Sequence, residues 1–543
     1  MFRILITFIL TAALCGPTQA AVFAVDDDTD APDVAPGDGS CATAAGTCSL
    51  RAAIQETNAL DGADEIDLPV GFFTLTIPGT DEDAGATGDL DVLDDLTIRG
   101  VNAYLSIIDA GGIDRVIDQL PQPVASQTTT LQLEDLTIAN GDAQGTGGGI
   151  RYGAMLVLDR VIVRENEASF DGGGLGSTNT PFDEPSLIVR ASIISLNFAG
   201  NEGGGIHGLF TEAVTIERTT IVANTAQDWG GGIGLTHGSS GSEAMLSELT
   251  IYGNSVSGPS FFMIGGGLRV SGARIDRSWI GHNRTGVWGS DDPGSDQAKG
   301  GGIHGTAVVI TNSTLQGNFS RQGGAISNSN SIELNHVTIA GNAATDNGGG
   351  LYQFGLGSDT TFQNTIIAGN SPRNCDGQLA NSAGHNLADD DTCNLTQPTD
   401  LVDVDPGLGA LGDHGGLTRT LPLMAGSQAI DAGTDAGLDV DQRGVARPQG
   451  DGYDIGAFEF DGRKIEVAGP CDRDGDGRVD VSDLDSLTTV ARLVSKNNYR
   501  RSDRSSYENS YGRDVVSLLG RCVKLCTRVG CGTAGILDPV AVR

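Results

Sequence analysis

The amino-acid sequence predicts an all-β chain wound as a parallel β-helix, and three observations carry that expectation. A Gly-Gly-Gly-apolar signature starts at Gly147, Gly172, Gly203, Gly230, Gly265, Gly300 and Gly348, with a shortened copy from Gly323 to Ile326. Successive starts lie 25, 31, 27, 35, 35, 23 and 25 residues apart, a period that belongs to solenoids. Between copies, stretches such as VTIERTTIVAN and VVITNSTLQGN alternate apolar and polar residues with period two, as half-buried strands do. Each copy then ends on an asparagine: Asn166, Asn197, Asn224, Asn254, Asn283, Asn318, Asn342 and Asn370. Neither a leucine ladder nor a nine-residue GGxGxDxU repeat is present, which sets aside leucine-rich repeats and the calcium-binding roll.

Taken in chain order, residues 1–20 read as a secretory signal peptide. Arg3 is basic, Ile4 to Leu14 is apolar apart from Thr7 and Thr11, and Thr18-Gln19-Ala20 offers a small residue for cleavage. No later segment reaches the roughly 20 apolar residues of a membrane span. Loss of residues 1–20 removes Cys15 and leaves eight cysteines, an even set suited to an oxidising compartment. Cys41 with Cys48, and Cys375 with Cys393, are close enough in sequence to pair; Cys471, Cys522, Cys526 and Cys531 allow three connectivities. The expected location is therefore extracellular, secreted or at the cell surface. A net charge of −37 excludes nucleic-acid binding through the bulk field.

Residues 21–62 are expected to cap the solenoid. In CSLRAAIQETNAL, Cys48 to Leu60, the residues Leu50, Ala53, Ile54 and Thr57 share one helical face, so a short amphipathic helix stapled by Cys41–Cys48 is predicted. Residues 63–460 are expected to be β-helix. Ile206, Ile233, Leu268, Ile303 and Ile326 occupy equivalent inward positions in it, and eight signature coils make a stack roughly 35–40 Å long. The repeated asparagine is read as structural, tolerating the left-handed region and laddering its amide from coil to coil. Two copies carry long insertions, Ser255 to Ile264 and Arg284 to Lys299, at the same corner of successive coils. The second holds Trp288, Asp291 and Asp292, which makes it a candidate binding loop.

Two motifs carry a resemblance. Cys48-Ser49-Leu50-Arg51-Ala52-Ala53-Ile54-Gln55 resembles the CSLREA motif that opens many secreted bacterial β-helix proteins, with Ala52 in place of Glu at what reads as a surface position. DPGLGALGDHGGLTRTLPLMAGSQAIDAG, Asp405 to Gly433, and DQRGVARPQGDGYDIGAFEF, Asp441 to Phe460, resemble the choice-of-anchor Q region, about residues 375–460. The resemblance implies a right-handed parallel β-helix of the pectate-lyase-like superfold and little chemistry.

After Phe460 the character changes. Asp472, Asp474, Asp476, Asp480 and Asp483, with Gly477 for the turn and the Arg478 carbonyl, meet the template of an EF-type calcium loop. Residues 461–543 thus resemble a small α-helical dockerin-like module binding one calcium ion. A second loop would need oxygens where Tyr507, Tyr511 and Leu518 stand. Residues 491–530 carry nine Lys and Arg against three acids, which points to a general protein-docking or retention partner for this module.

The function expected is a non-catalytic binding or adhesion protein whose ligand is a carbohydrate or a cell-surface protein. The alternative is a polysaccharide lyase or glycoside hydrolase. His207 and His304 lie in identical GGGIHG contexts and His282 in GHN; recurrence at one repeat position reads as corner packing. The catalytic motif series of such enzymes are missing, and three tryptophans are few for a sugar-stacking cleft.

Overall fold

A computed structural model describes residues 20–462, apart from 81, 121–128, 179–184, 211–212, 238–242, 259–261, 287–296, 355–359 and 378–380. The segment expected to be a calcium loop, Asp472 to Asp483, and the last four cysteines lie outside the described residues, as do Trp288, Asp291 and Asp292. Among the described residues no helix is long and apolar enough to cross a membrane.

One coil shows how the sequence winds. Ile206–Phe210 and Val214–Glu217 follow one another end to end in two columns of the largest sheet, Thr220–Val222 forms part of a second sheet, and Thr225–Ala226 part of a third. The chain turns at Arg218 (φ 49°), at Ala223 (φ 56°) and at Gly203 or Gly230 (φ 63° and 61°). Each strand pairs in parallel with its equivalents one coil before and after. Strands Leu268–Asp276 and Ile303–Thr311 span both columns of the 22-stranded sheet and join them. The architecture is a parallel β-helix.

The predicted inward residues stack in register. Ile206 faces Ile233, then Leu268, Ile303 and Ile326, all fully buried within one continuous core. Tight approach between coils explains the glycine triplets. A Cβ on Gly204 would stand 2.3 Å from the Gly231 carbonyl oxygen, and one on Gly231 only 2.4 Å from that of Gly266.

The asparagine ladder is continuous. Each Nδ2 donates to the Oδ1 of the next coil's asparagine at 2.9–3.1 Å, from Asn166 through Asn197, Asn224, Asn254, Asn283, Asn318 and Asn342 to Asn370. The left-handed residue is not the asparagine itself but the one before it: Glu165, Leu196, Ala223, Gly253, His282, Gly317, Gly341 and Gly369. This placement lets each asparagine's own N–H also donate to the next Oδ1, as Asn224 does to Asn254 at 2.9 Å. A second ladder, of hydroxyls, runs up the other corner: Ser192, Ser278 and Ser313 each donate to the carbonyl two residues earlier.

Coils without the glycine signature extend the stack beyond the eight signature coils, so the second sheet has 13 strands, roughly 55–60 Å in all. Four expectations need correction. The β-helix does not begin at residue 63, because Val22–Ala24 already pairs in parallel with the strand Asp64–Leu68. The cap helix Leu50–Ala59 is buried on nearly every side, from Leu50 to Thr57, so Ala52 is not a surface position. The insertions begin with strand residues, Ser255–Val256 paired with Arg284–Thr285, and buried Met263 and Ala298 close their far ends. Finally, the coils end at Leu401–Val402. Residues 403–460 form a strap with antiparallel bridges that runs back along the outer face of the second sheet. Gln442 Nε2 donates to the Ser278 carbonyl at 3.2 Å, Thr418 Oγ1 to that of Arg277 at 2.9 Å, and the Ala457 amide to Thr338 Oγ1 at 3.0 Å. Outward Ile366 and Leu387 bury against Leu423, Ile455 and Phe458 of the strap, and the fully buried pair Arg447–Glu459 (2.6 Å) holds it closed.

Candidate functional site

The residue that follows each signature's apolar position points away from the core, and stacking places these residues in one row. In register they are Asp91, Asp118, Arg151, Gly176, His207, Gly234, Arg269, His304, Ser327, Tyr352 and Asp376. Beside it runs a shorter row of the residues ahead of the glycine corners: Glu202, Trp229, Ile264, Lys299 and Gln322, bridged in parallel. Both insertions lead directly into this second row, at Ile264 and Lys299.

At the middle of the two rows the groups interact. His207 Nε2 lies 3.8 Å from Glu202 Oε2, and its buried Nδ1 has no partner among the described residues. The Arg269 guanidinium sits 4.9 Å from the centroid of the Trp229 ring. Gly176 and Gly234 flank His207 because neither place admits a side chain freely: a Cβ on Gly176 would lie 2.5 Å from Thr146. One coil beyond Arg269, His304 Nδ1 meets Ser327 Oγ at 2.7 Å. The Lys299 ammonium lies 3.9 Å over Phe354, which stacks between His304 and Tyr352 at centroid distances of 6.0 and 5.9 Å.

Burial sets the charges. It lowers the pKa of His207, and it lowers His304 to about 3 with help from Arg269 and Lys299, so both imidazoles are neutral near pH 7. Desolvation pushes the Glu202 carboxyl up to about 7 against the pull of Arg269. The middle of the two rows therefore offers neutral hydrogen-bonding groups, the Arg269 and Lys299 cations, and the Glu202 carboxyl, which exchanges its proton near neutrality.

No protein-family model and no curated protein matches the chain. Two solved structures are similar to it. Pectate lyase Pel9A has 14% identity and a TM-score of 0.37, over 82% of this chain and 97% of that one. The A-module of the Azotobacter vinelandii mannuronan C-5 epimerase AlgE6 has 14% identity and a TM-score of 0.33, over 63% and 95%.

Of the residues singled out from sequence, Cys41–Cys48 and Cys375–Cys393 form disulfides. His207 and His304 occupy one row, as their shared context implied, but three coils apart, each with its own partners. His282 sits on the other side, at φ 52° before Asn283, edge-on to Tyr252 and Trp279. Arg151, Glu202, Arg269, Lys299 and Tyr352 were missed. Their signal was present: aligned on the first glycine, Arg151, His207, Arg269, His304, Ser327 and Tyr352 all stand four residues on.

Proposed function

We propose that the chain is a secreted or surface-displayed, non-catalytic β-helix protein that holds an extended polysaccharide along this polar row. The two insertions, Ser255 to Ile264 and Arg284 to Lys299, add contacts to the ligand, and residues 461–543 serve as a calcium-dependent docking or retention module. The register carries the reading. Groups that donate and accept hydrogen bonds recur along one straight face at the ~4.8 Å strand spacing, comparable to the length of one sugar residue. A rigid array of this kind suits a long repetitive ligand better than a compact one. Shortening residues 257–262 and 287–296 together, or changing Arg269 to Ala, should weaken binding on a polysaccharide array at least tenfold with an unchanged far-UV spectrum. Binding that survives both changes, or a ligand that proves to be a cell-surface protein held elsewhere, overturns the assignment.

One observation favours an enzymatic reading instead. Glu202, with its pKa near 7 beside His207, has the proton affinity of a general acid or base. Depolymerisation of any polysaccharide by the full chain, lost in Glu202→Gln, would replace binding with catalysis.

A further inference from the structure

At the N-terminal end of the row, Asp89, Asp91 and Asp118 bring one oxygen each within 4.8 Å of one another, and all three are buried. Their charges are incompletely matched. Arg115 Nη1 donates to Asp89 Oδ2 and to Asp118 Oδ2, at 3.0 Å each. Arg151 Nε donates to Asp118 Oδ1 at 2.8 Å, and its Nη2 to Oδ2. Two guanidiniums thus serve Asp89 and Asp118, and Asp91 receives neither; Asp114 beside Asp89 and Glu82 beside Asp91 add further negative charge. Its Oδ2 accepts from the Gly85 amide at 2.6 Å, but Oδ1 is buried with no hydrogen-bond partner among the described residues, on a residue that is 0% exposed. A buried carboxylate oxygen without a donor calls for a proton or a cation.

We propose that Asp91, together with Asp89 and Asp118, binds a hard divalent cation, calcium in an extracellular setting, and that the ion seals the N-terminal end of the β-helix. An all-carboxylate donor set selects calcium or magnesium over softer metals. The guanidiniums orient Asp89 and Asp118 and leave the cluster net negative for the ion. What the ion fastens follows from Arg51 of the cap helix. This side chain donates to the carbonyls of Gly85 (2.9 Å), Gly88 (2.8 Å) and Asp89 (3.0 Å), while its own charge is paired with Asp30 at 2.6 Å. Segment 85–91 is thus gripped from one side by the cap, and the ion grips it from the other, against the next coil at Asp118.

The test uses the full chain carrying Asp472→Ala, which silences the calcium loop expected in the C-terminal module. After chelator treatment, calorimetric titration should show one calcium ion at millimolar or tighter affinity, a rise in Tm, and slower hydrogen exchange across residues 82–92. Asp91→Asn keeps the side chain's shape and should abolish all three responses; Asp89→Asn should weaken binding at least tenfold. If Asp91→Asn fails to fold, hydrogen exchange in the Asp472→Ala chain decides. No ion bound by calcium or magnesium, an ion bound equally well by Asp91→Asn, or no change in exchange at residues 82–92 overturns the proposal and leaves a proton as Asp91's partner.

Discussion

At the scale of single residues, the coil-to-coil distance governs what each position tolerates. Gly231 and Gly253 both have positive φ neighbours or positive φ themselves, yet they answer to different forces. A Cβ on Gly231 would meet two carbonyl oxygens, of Gly266 and Ser255, at 2.4 Å, whereas one on Gly253 (φ 64°) meets nothing within 4 Å. Gly231→Ala is therefore expected to cost several kcal/mol by forcing two backbones apart. Gly253→Ala should cost about 1 kcal/mol, the strain of one left-handed residue. Unfolding midpoints of the two variants, compared with the parent, check the ordering. Ile303→Asp belongs with the severe class, since a charge in that fully buried row has neither water nor partner.

At the scale of elements, the strap is the part whose attachment depends on pH. His336 lies under it, fully buried, with its pKa lowered to about 3, chiefly by burial and then by Arg447; Tyr453 of the strap is 6.4 Å away, ring to ring. Asn364 Nδ2 is 2.9 Å from its Nε2 and also donates to the Thr434 carbonyl of the strap. A histidine whose folded pKa is depressed contributes stability above its unfolded value of about 6.5, and that stability is lost as pH falls toward 3. Asp454 acts in the opposite sense: its carboxyl is raised to about 7, mainly by burial, so its contribution is present at low pH and lost as pH rises through 7. His336→Gln should remove that histidine's share of the acid-side loss, at most about 1.4 kcal/mol per pH unit for one proton, and leave the loss toward pH 7. Thermal melts of parent and variant between pH 4 and pH 8 distinguish the two groups.

At the scale of the whole molecule, the long core and the C-terminal module are expected to respond separately. Among the described residues the coils bury one continuous core from Phe23 to Cys393. Asp472→Ala should remove one bound calcium ion and leave the far-UV spectrum and the main unfolding transition in place. A collapse of that transition on the substitution would show that the module and the β-helix fold as one unit.

The sequence by itself determined the coil. Glycine triplets, period-two strands and closing asparagines are local patterns, and each has a local cause: close approach, alternating burial and corner geometry. Arg151, His207, Arg269 and His304 were equally legible as an aligned column, but their meaning was not. They lie dozens of residues apart in sequence and become neighbours or near neighbours only because coils stack at strand spacing. The same holds for Asp91 and Asp118, which register brings side by side. The strap was beyond sequence reasoning altogether. Its motifs marked a region, yet nothing local tells Gln442 to seek the carbonyl of Ser278, 164 residues away. Which outer face is covered and which is left open depends on where the chain returns, and only the tertiary structure decides that.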